Sequence, residues 1–296
     1  MFMSPFPSRG FRGWPPAVKL VVALAVLALV AILGWLKWHE DELVFHAERS
    51  HEQDIGQLPA GAESVTITAA GGYALAAALL RAEPSQDSGF WVLHLHGNAD
   101  SAFSVGQLRH AEQLRALGLN VLAVDYRGFG RSSGVASELH IDEDAEAAYQ
   151  ELIRRGVSPR QIIIWGHSLG SGPAVFVASR HPAATLVLFG AYTSIPDVAA
   201  DTYPYLPIRW LAGVHFNSLQ RMRDVHMPVV IAHSVSDSII PFHHAPQLYA
   251  AANEPKRLLR LDDAVRDGFG GHVDALYDHL QRLTPPLHEL AGVSQR

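Results

Sequence analysis

The chain has no cysteine. That absence excludes disulfides, thiolate zinc sites, iron–sulfur clusters and cysteine nucleophiles together, and it leaves the redox compartment open. Positive charge is also scarce: Lys and Arg total 23 against 29 Asp and Glu, a formal charge of −6. No basic excess exists to neutralise a phosphate backbone, which argues against nucleic acid as a partner. The 17 histidines show no HExxH or similar ligand spacing, so the sequence predicts no metal site. Charged residues are 18% of the chain and hydrophobic residues 48%, which excludes a disordered protein. With 296 residues the chain forms one large domain or two small ones.

What is present first is one long apolar run. Leu20 to Leu36 reads LVVALAVLALVAILGWL, without a charge. As a helix this run spans about 25 Å, near the lower limit for the hydrocarbon core. Lys19 and Lys37 flank it, with Trp14, Trp35 and Trp38 at the belt positions. The alternatives are a cleaved signal peptide and a buried core helix. The run ends in Trp-Leu-Lys-Trp-His-Glu-Asp-Glu, with no small-residue cleavage site, and it has no polar face. The expectation is therefore a short tail (1–17), a transmembrane anchor (18–38) and a linker (39–61) before one large domain (62–296). Arg9, Arg12 and Lys19 precede the span and Lys37 and Arg49 follow it. That balance predicts a cytoplasmic amino terminus and a domain outside the cytoplasm, on the periplasmic side if the cell is bacterial.

After residue 61, apolar strand-like runs alternate with helical patterns. Val65–Ala69 and Tyr73–Arg81 flank Gly71-Gly72 as a hairpin. Strands are predicted at Phe90–Leu95, Asn120–Val124, Gln161–Trp165, Thr185–Phe189, Pro228–Ala232 and Arg257–Leu261. Helices are predicted over Ser104–Leu117, Glu138–Arg155, the stretch through Ser179, Phe242–Ala252 and Val273–Leu283. This alternation implies an α/β domain with a mostly parallel sheet and helices on both faces.

The strand Gln161–Trp165 runs directly into Gly166-His167-Ser168-Leu169-Gly170. A G-x-S-x-G between strand and helix is a nucleophile elbow: Gly166 and Gly170 leave room for the turn, and Ser168 stands clear of the sheet. An ordinary glycine-rich turn is the alternative; a phosphate loop is not, since no G-x-x-x-x-G-K-[ST] is present. The amide of Leu169 is one candidate oxyanion donor, and that of Asn98, in the His96-Gly97-Asn98-Ala99 turn, is the other. His96 reads as a structural residue. A serine nucleophile needs a base oriented by an acid, in the chain order Ser, acid, His. Asp237 follows the strand Pro228–Ala232, with Asp262 or Asp263 as competitor, and His272 follows the last strand behind Gly270-Gly271.

The blocks His96-Gly97-Asn98-Ala99, Asp125-Tyr126-Arg127-Gly128-Phe129-Gly130-Arg131-Ser132-Ser133-Gly134, Gly166 to Ala174, Ala191-Tyr192-Thr193-Ser194-Ile195 and Gly271-His272 resemble the serine α/β-hydrolases, and within them the Bem46-like group. The resemblance covers roughly residues 62–283. One departure is Ser234 after His233, where the group usually has glycine. The resemblance implies ester or thioester hydrolysis through an acyl-serine, without a cofactor, often at a membrane and on lipid or acylated substrates. The second segment has no catalytic role derivable from its residues and reads as a structured loop beside the site.

Residues 190–225 stand where such enzymes insert a lid, and the insertion is short. Its Tyr192, Tyr203, Tyr205, Trp210 and Phe216 either line an acyl pocket or form core under a helix pair. Tyr192, Tyr203 and Trp210 are the candidate substrate contacts. The partners expected are the bilayer, through the apolar helix, and a small or lipid-linked acyl substrate. A second function, a catalytically silent binding or scaffold domain, remains open, because fold alone does not prove activity. The complete set of Ser168, Asp237, His272 and the elbow glycines favours the enzyme.

Overall fold

The computed structural model describes residues 14–52, 55–262, 271, 272, 282 and 289. It divides into two compact units, Met1–Glu40 and Asp41–Arg296. The first contains helix α1 (Pro16–Trp38), opened by proline at its first position and without a buried residue. Its most apolar window has a mean hydropathy of 2.7, and it is long and apolar enough to cross a membrane.

The second unit begins earlier than the sequence predicts. The polar stretch 39–61 reads as linker, yet Phe45 and Ser50 within it are buried. Helix α2 (Glu40–Val44) comes first, and α3 (Ala47–Ser50) follows. Phe45 between them is only 2% exposed and meets Phe216 edge to face at 6.1 Å. The Ser50 hydroxyl oxygen accepts the Gly130 amide at 2.7 Å. Phe45→Ala is expected to cost about 3–5 kcal/mol. The check is thermal unfolding of the detergent-purified chain; an unchanged midpoint would mean that residues 41–50 are detachable after all.

Eight strands form one sheet in the order β1-β2-β4-β3-β5-β6-β7-β8. Strands β1 (Ala62–Thr68) and β2 (Ala74–Leu80) form the antiparallel hairpin the glycine pair predicts. The other six are β3 (Trp91–Leu95), β4 (Asn120–Val124), β5 (Ile162–His167), β6 (Thr185–Phe189), β7 (Val229–Ser234) and β8 (Lys256–Leu261). They run parallel to one another, and β2 joins β4 antiparallel. All five residues of β3, β4 and β6 are buried. That is why these strands read as continuous apolar runs rather than alternating ones.

Successive strand residues feed opposite cores. Helix α4 (Val105–Ala116) sends Leu108, Ala111 and Leu114 against Val92, Val121 and Ile163. On the other face α5 (Glu138–Arg154) and α6 (Ser171–Arg180) send Ile141, Tyr149, Ala174 and Val177 against Leu93, Leu122, Ile164 and Leu188. The helix starts follow from their caps: the Ser104 hydroxyl accepts the Gln107 amide, and that of Ser137 accepts the His140 amide. The helix predicted at Val273–Leu283 lies outside the described residues.

The insertion between β6 and β7 holds short helices α7 (Ile195–Thr202), α8 (Ile208–Leu211) and α9 (Ser218–Arg221). Its base is closed by the Ile195 amide on the His215 carbonyl at 2.9 Å and the Leu219 amide on the Thr193 carbonyl at 3.0 Å. The Glu138 carboxylate accepts the amides of His215 and Phe216 at 2.6 and 2.8 Å. Behind the insertion, α10 (His244–Ala251) leads to β8.

Candidate active site

Strand β5 ends in the glycine-flanked turn, and Ser168 there has a φ of 51°, in the left-handed region. A non-glycine residue held in that region stores strain, which the surrounding close packing maintains. A side chain on Gly166 would meet the Gly170 carbonyl, and one on Gly170 would meet the carbonyls of Leu95 and His96. The turn Ser168–Gly170 passes directly into α6, so Ser168 sits at a helix amino end.

Ser168, Asp237 and His272, 104 and 35 residues from one another along the chain to the histidine, converge here. Ser168 Oγ lies 2.8 Å from His272 Nε2, and His272 Nδ1 lies 2.7 Å from Asp237 Oδ2. All three are under a tenth exposed. Asp237 Oδ1 accepts the amides of Ile239 and Ile240, each at 2.9 Å, which orients the carboxylate. Burial opposes its charge, but hydrogen bonds from His233 and His272 outweigh burial and hold its carboxyl well below the usual range. Of the competing acids, Asp262 is exposed and faces Arg260 at 3.8 Å, while Asp263 lies outside the described residues.

The turn carrying Asn98 adjoins this centre. A side chain on Gly97 would stand 3.2 Å from Ser168 Cβ, so the chain passes as close to the serine as glycine allows. The Asn98 side chain faces the amino-terminal stretch: its Nδ2 donates to the Val44 carbonyl at 2.8 Å and its Oδ1 accepts the His46 amide at 3.0 Å. Asn98 therefore follows the glycine nearest the serine and pins residues 44–46 with its side chain.

Several supports of the site are not visible in its sequence motifs. Asp125, in the block without a derivable role, accepts the amides of Ala102 and Arg131 at 2.6 and 2.8 Å and so ties the 99–104 loop to the 125–134 loop. The Tyr126 hydroxyl donates to the His96 carbonyl at 3.0 Å. His167, the variable residue of the elbow, places Nε2 3.1 Å from the His272 carbonyl. Burial, then the neighbouring His272, lowers its pKa to about 4, so the ring is neutral and donates there. His233 Nε2 lies 2.8 Å from the Ile240 carbonyl and 3.4 Å from Asp237. The only hint for Asp125 was its place just after a buried strand. Gly190, at the end of β6, has a φ of 54°, and a side chain there would press on the His272 ring.

The candidate pocket aromatics divide. Tyr192 is wholly buried, and its hydroxyl donates to the Leu169 carbonyl at 2.9 Å, so it props the elbow instead of lining a cavity. Phe216 is core as well. Tyr203, Tyr205 and Trp210 are 57%, 96% and 92% exposed, so they are surface rather than core. The closed base of the insertion buries Tyr192 and Phe216, while its tip stays exposed.

Comparison with known proteins places these features in a wider set. A family model described as serine aminopeptidase, S33, matches residues 89–221. An uncharacterised protein of Mycobacterium tuberculosis is 36% identical over 243 residues, covering 80% of this chain and 84% of that one. The lysophosphatidylserine lipase ABHD12 of Danio rerio is 32% identical over 185 residues, 56% of this chain and 48% of its own length. Among solved structures, an esterase of Pyrococcus furiosus superposes with a TM-score of 0.64 at 20% identity, over 81% of this chain and 98% of that one. An α/β serine hydrolase without a lid, from Xanthomonas campestris, gives 0.59 at 16%, over 79% and 97%.

Proposed function

The chain belongs to the α/β-hydrolase family, and on that footing we propose that it is a membrane-anchored serine hydrolase of carboxylic esters or thioesters. The observation that carries this reading is the continuous line Ser168 Oγ, His272 Nε2, His272 Nδ1, Asp237 Oδ2, with contacts of 2.8 and 2.7 Å. In the proposed cycle Ser168 attacks the acyl carbon while His272 Nε2 takes its proton. Asp237 stabilises the imidazolium and holds the ring by Nδ1. The amides of Leu169 and Asn98 receive the oxyanion of the tetrahedral intermediate. Collapse expels the alcohol or thiol, which leaves with the proton from His272. Water then attacks the acyl-serine with His272 again as base, releasing the acid and restoring Ser168.

A lipid-like substrate is supported by two features. Helix α1 is long and apolar enough to cross a membrane, and the hydrolase domain follows it in the chain. The tip of the insertion presents Tyr203, Tyr205, Leu206 and Trp210 to solvent, residue types suited to a lipid–water boundary. The relative named as a lysophosphatidylserine lipase supports a single-chain phospholipid or similar ester as the substrate class. The surplus of Arg9, Arg12 and Lys19 ahead of the apolar run over Lys37 and Arg49 after it supports a cytoplasmic amino terminus with the domain across the membrane.

The full chain in detergent is to be treated with a fluorophosphonate probe and assayed on p-nitrophenyl esters of increasing chain length and on lysophospholipids. Labelling is expected, with kcat/KM rising toward long acyl chains. Preference for acetyl over every lipid ester would remove the lipid reading and leave an ordinary esterase. Failure of the folded chain to label would point to the silent binding protein instead.

A further inference from the structure

Away from the triad, three side chains from two elements aim one ligand atom each at a common point. Asp201 lies in the last turn of α7, and His243 and His244 open α10. His244 Nε2 is 3.0 Å and His243 Nε2 3.2 Å from the same oxygen, Asp201 Oδ2. Among the described residues this is the one group of three such side chains that can hold a metal ion, all its ligand atoms lying within 4.8 Å of one another. The sequence hides it: adjacent histidines carry no ligand spacing, and the carboxylate comes from 42 residues upstream.

We infer that Asp201, His243 and His244 form a binding site for a divalent metal ion of zinc type, which fastens the insertion to the start of α10.

Two of the three ligand separations fit that ion. With zinc–ligand bonds of ~2.0–2.2 Å, tetrahedral neighbours lie about 3.3 Å apart, close to the 3.0 and 3.2 Å found. Two imidazoles and one carboxylate are a donor set suited to zinc, and the set leaves a fourth position. Asp201 and His243 are exposed, so water can complete the coordination, while His244 is fully buried and fixes the site on the fold.

Thr193 stands behind His244: its Oγ1 lies 2.8 Å from both Asp197 Oδ2 and His244 Nδ1, and its amide donates to that Nδ1 at 3.3 Å. His244 Nε2 and Asp201 Oδ2 form a hydrogen bond of 3.0 Å, which a bound ion would replace with release of a proton. Ligation at Nε2 requires a ring proton on Nδ1, where the Thr193 oxygen, whose own proton goes to Asp197, accepts it. Contacts of this kind orient a metal-bound histidine.

The test uses the full chain in detergent, stripped with chelator and titrated with zinc chloride by calorimetry, and then loaded with cobalt(II) for visible absorption. One zinc per chain is expected, with a rise in the unfolding midpoint and cobalt bands of low symmetry. His243→Ala removes an exposed ring and is expected to weaken zinc binding by at least about 100-fold and to abolish the midpoint rise. Asp201→Asn should act in the same direction, and His272→Ala should leave zinc binding intact. Absence of binding, equal binding by His243→Ala, or loss of binding in His272→Ala would each overturn the assignment. None of these readouts depends on hydrolysis, so the result stands apart from the proposed activity.

Discussion

Ser168→Ala is expected to abolish fluorophosphonate labelling and to lower kcat by about 10⁶-fold, the size seen when a serine nucleophile is removed. The argument rests on position more than on residue type. Ser168 Oγ is the atom 2.8 Å from His272 Nε2. Alanine leaves the histidine, the acid and both candidate oxyanion amides in place but supplies no atom to acylate. Folding should be nearly untouched. Alanine carries the same Cβ, so the strained φ of 51° costs the variant what it costs the parent. The check is intact-protein labelling beside thermal unfolding of both proteins. Retained labelling at an unchanged midpoint would place the reactive group on another residue.

Asp237→Asn is the second large effect, expected to lower kcat by about 10⁴-fold, or about 5 kcal/mol of transition-state stabilisation. The geometry states why. Asp237 Oδ1 is held by the amides of Ile239 and Ile240, and asparagine keeps its oxygen there. Its amide NH₂ then takes the place of Oδ2, 2.7 Å from His272 Nδ1. An NH₂ donates, so Nδ1 must accept, and the imidazole proton moves to Nε2. In that tautomer His272 has no lone pair for the Ser168 proton. KM and the unfolding midpoint should change little, because the variant is nearly isosteric. A loss smaller than tenfold would remove Asp237 from the orienting role.

The residues behind these expectations are legible in the sequence for a physical reason. A nucleophile elbow imposes sterically forced glycines, a buried strand before it and a helix after it, and each leaves a local mark in sequence. The parallel strands are equally plain, since burial on both faces requires uninterrupted apolar runs such as Trp91–Leu95 and Thr185–Phe189. Asp237 and His272 stand out as candidates because each loop follows such a strand.

Other features leave no local mark. Phe45 is a single aromatic among polar residues, without the periodicity that announces a packed element, yet it is buried against Phe216. The roles of Asp125, His167 and His233 are hydrogen bonds to backbone groups brought near by folding. Tyr192 and Trp210 belong to one aromatic-rich stretch, and only the closed base of the insertion separates the buried prop from the exposed tip.

The sequence by itself determined the α/β alternation, the order of the strands along the chain and the apolar helix, and it singled out Ser168, Asp237 and His272 as candidates. Each of these depends on residue type at short spacing, through burial period or steric demand. Tertiary structure alone decided the neighbour order of the strands, the burial of Phe45 and Ser50, the division of the insertion's aromatics and the meeting of Asp201 with His243 and His244. Those depend on contacts between residues tens of positions apart. Such contacts are set by how whole elements pack, and no short window of sequence records that packing.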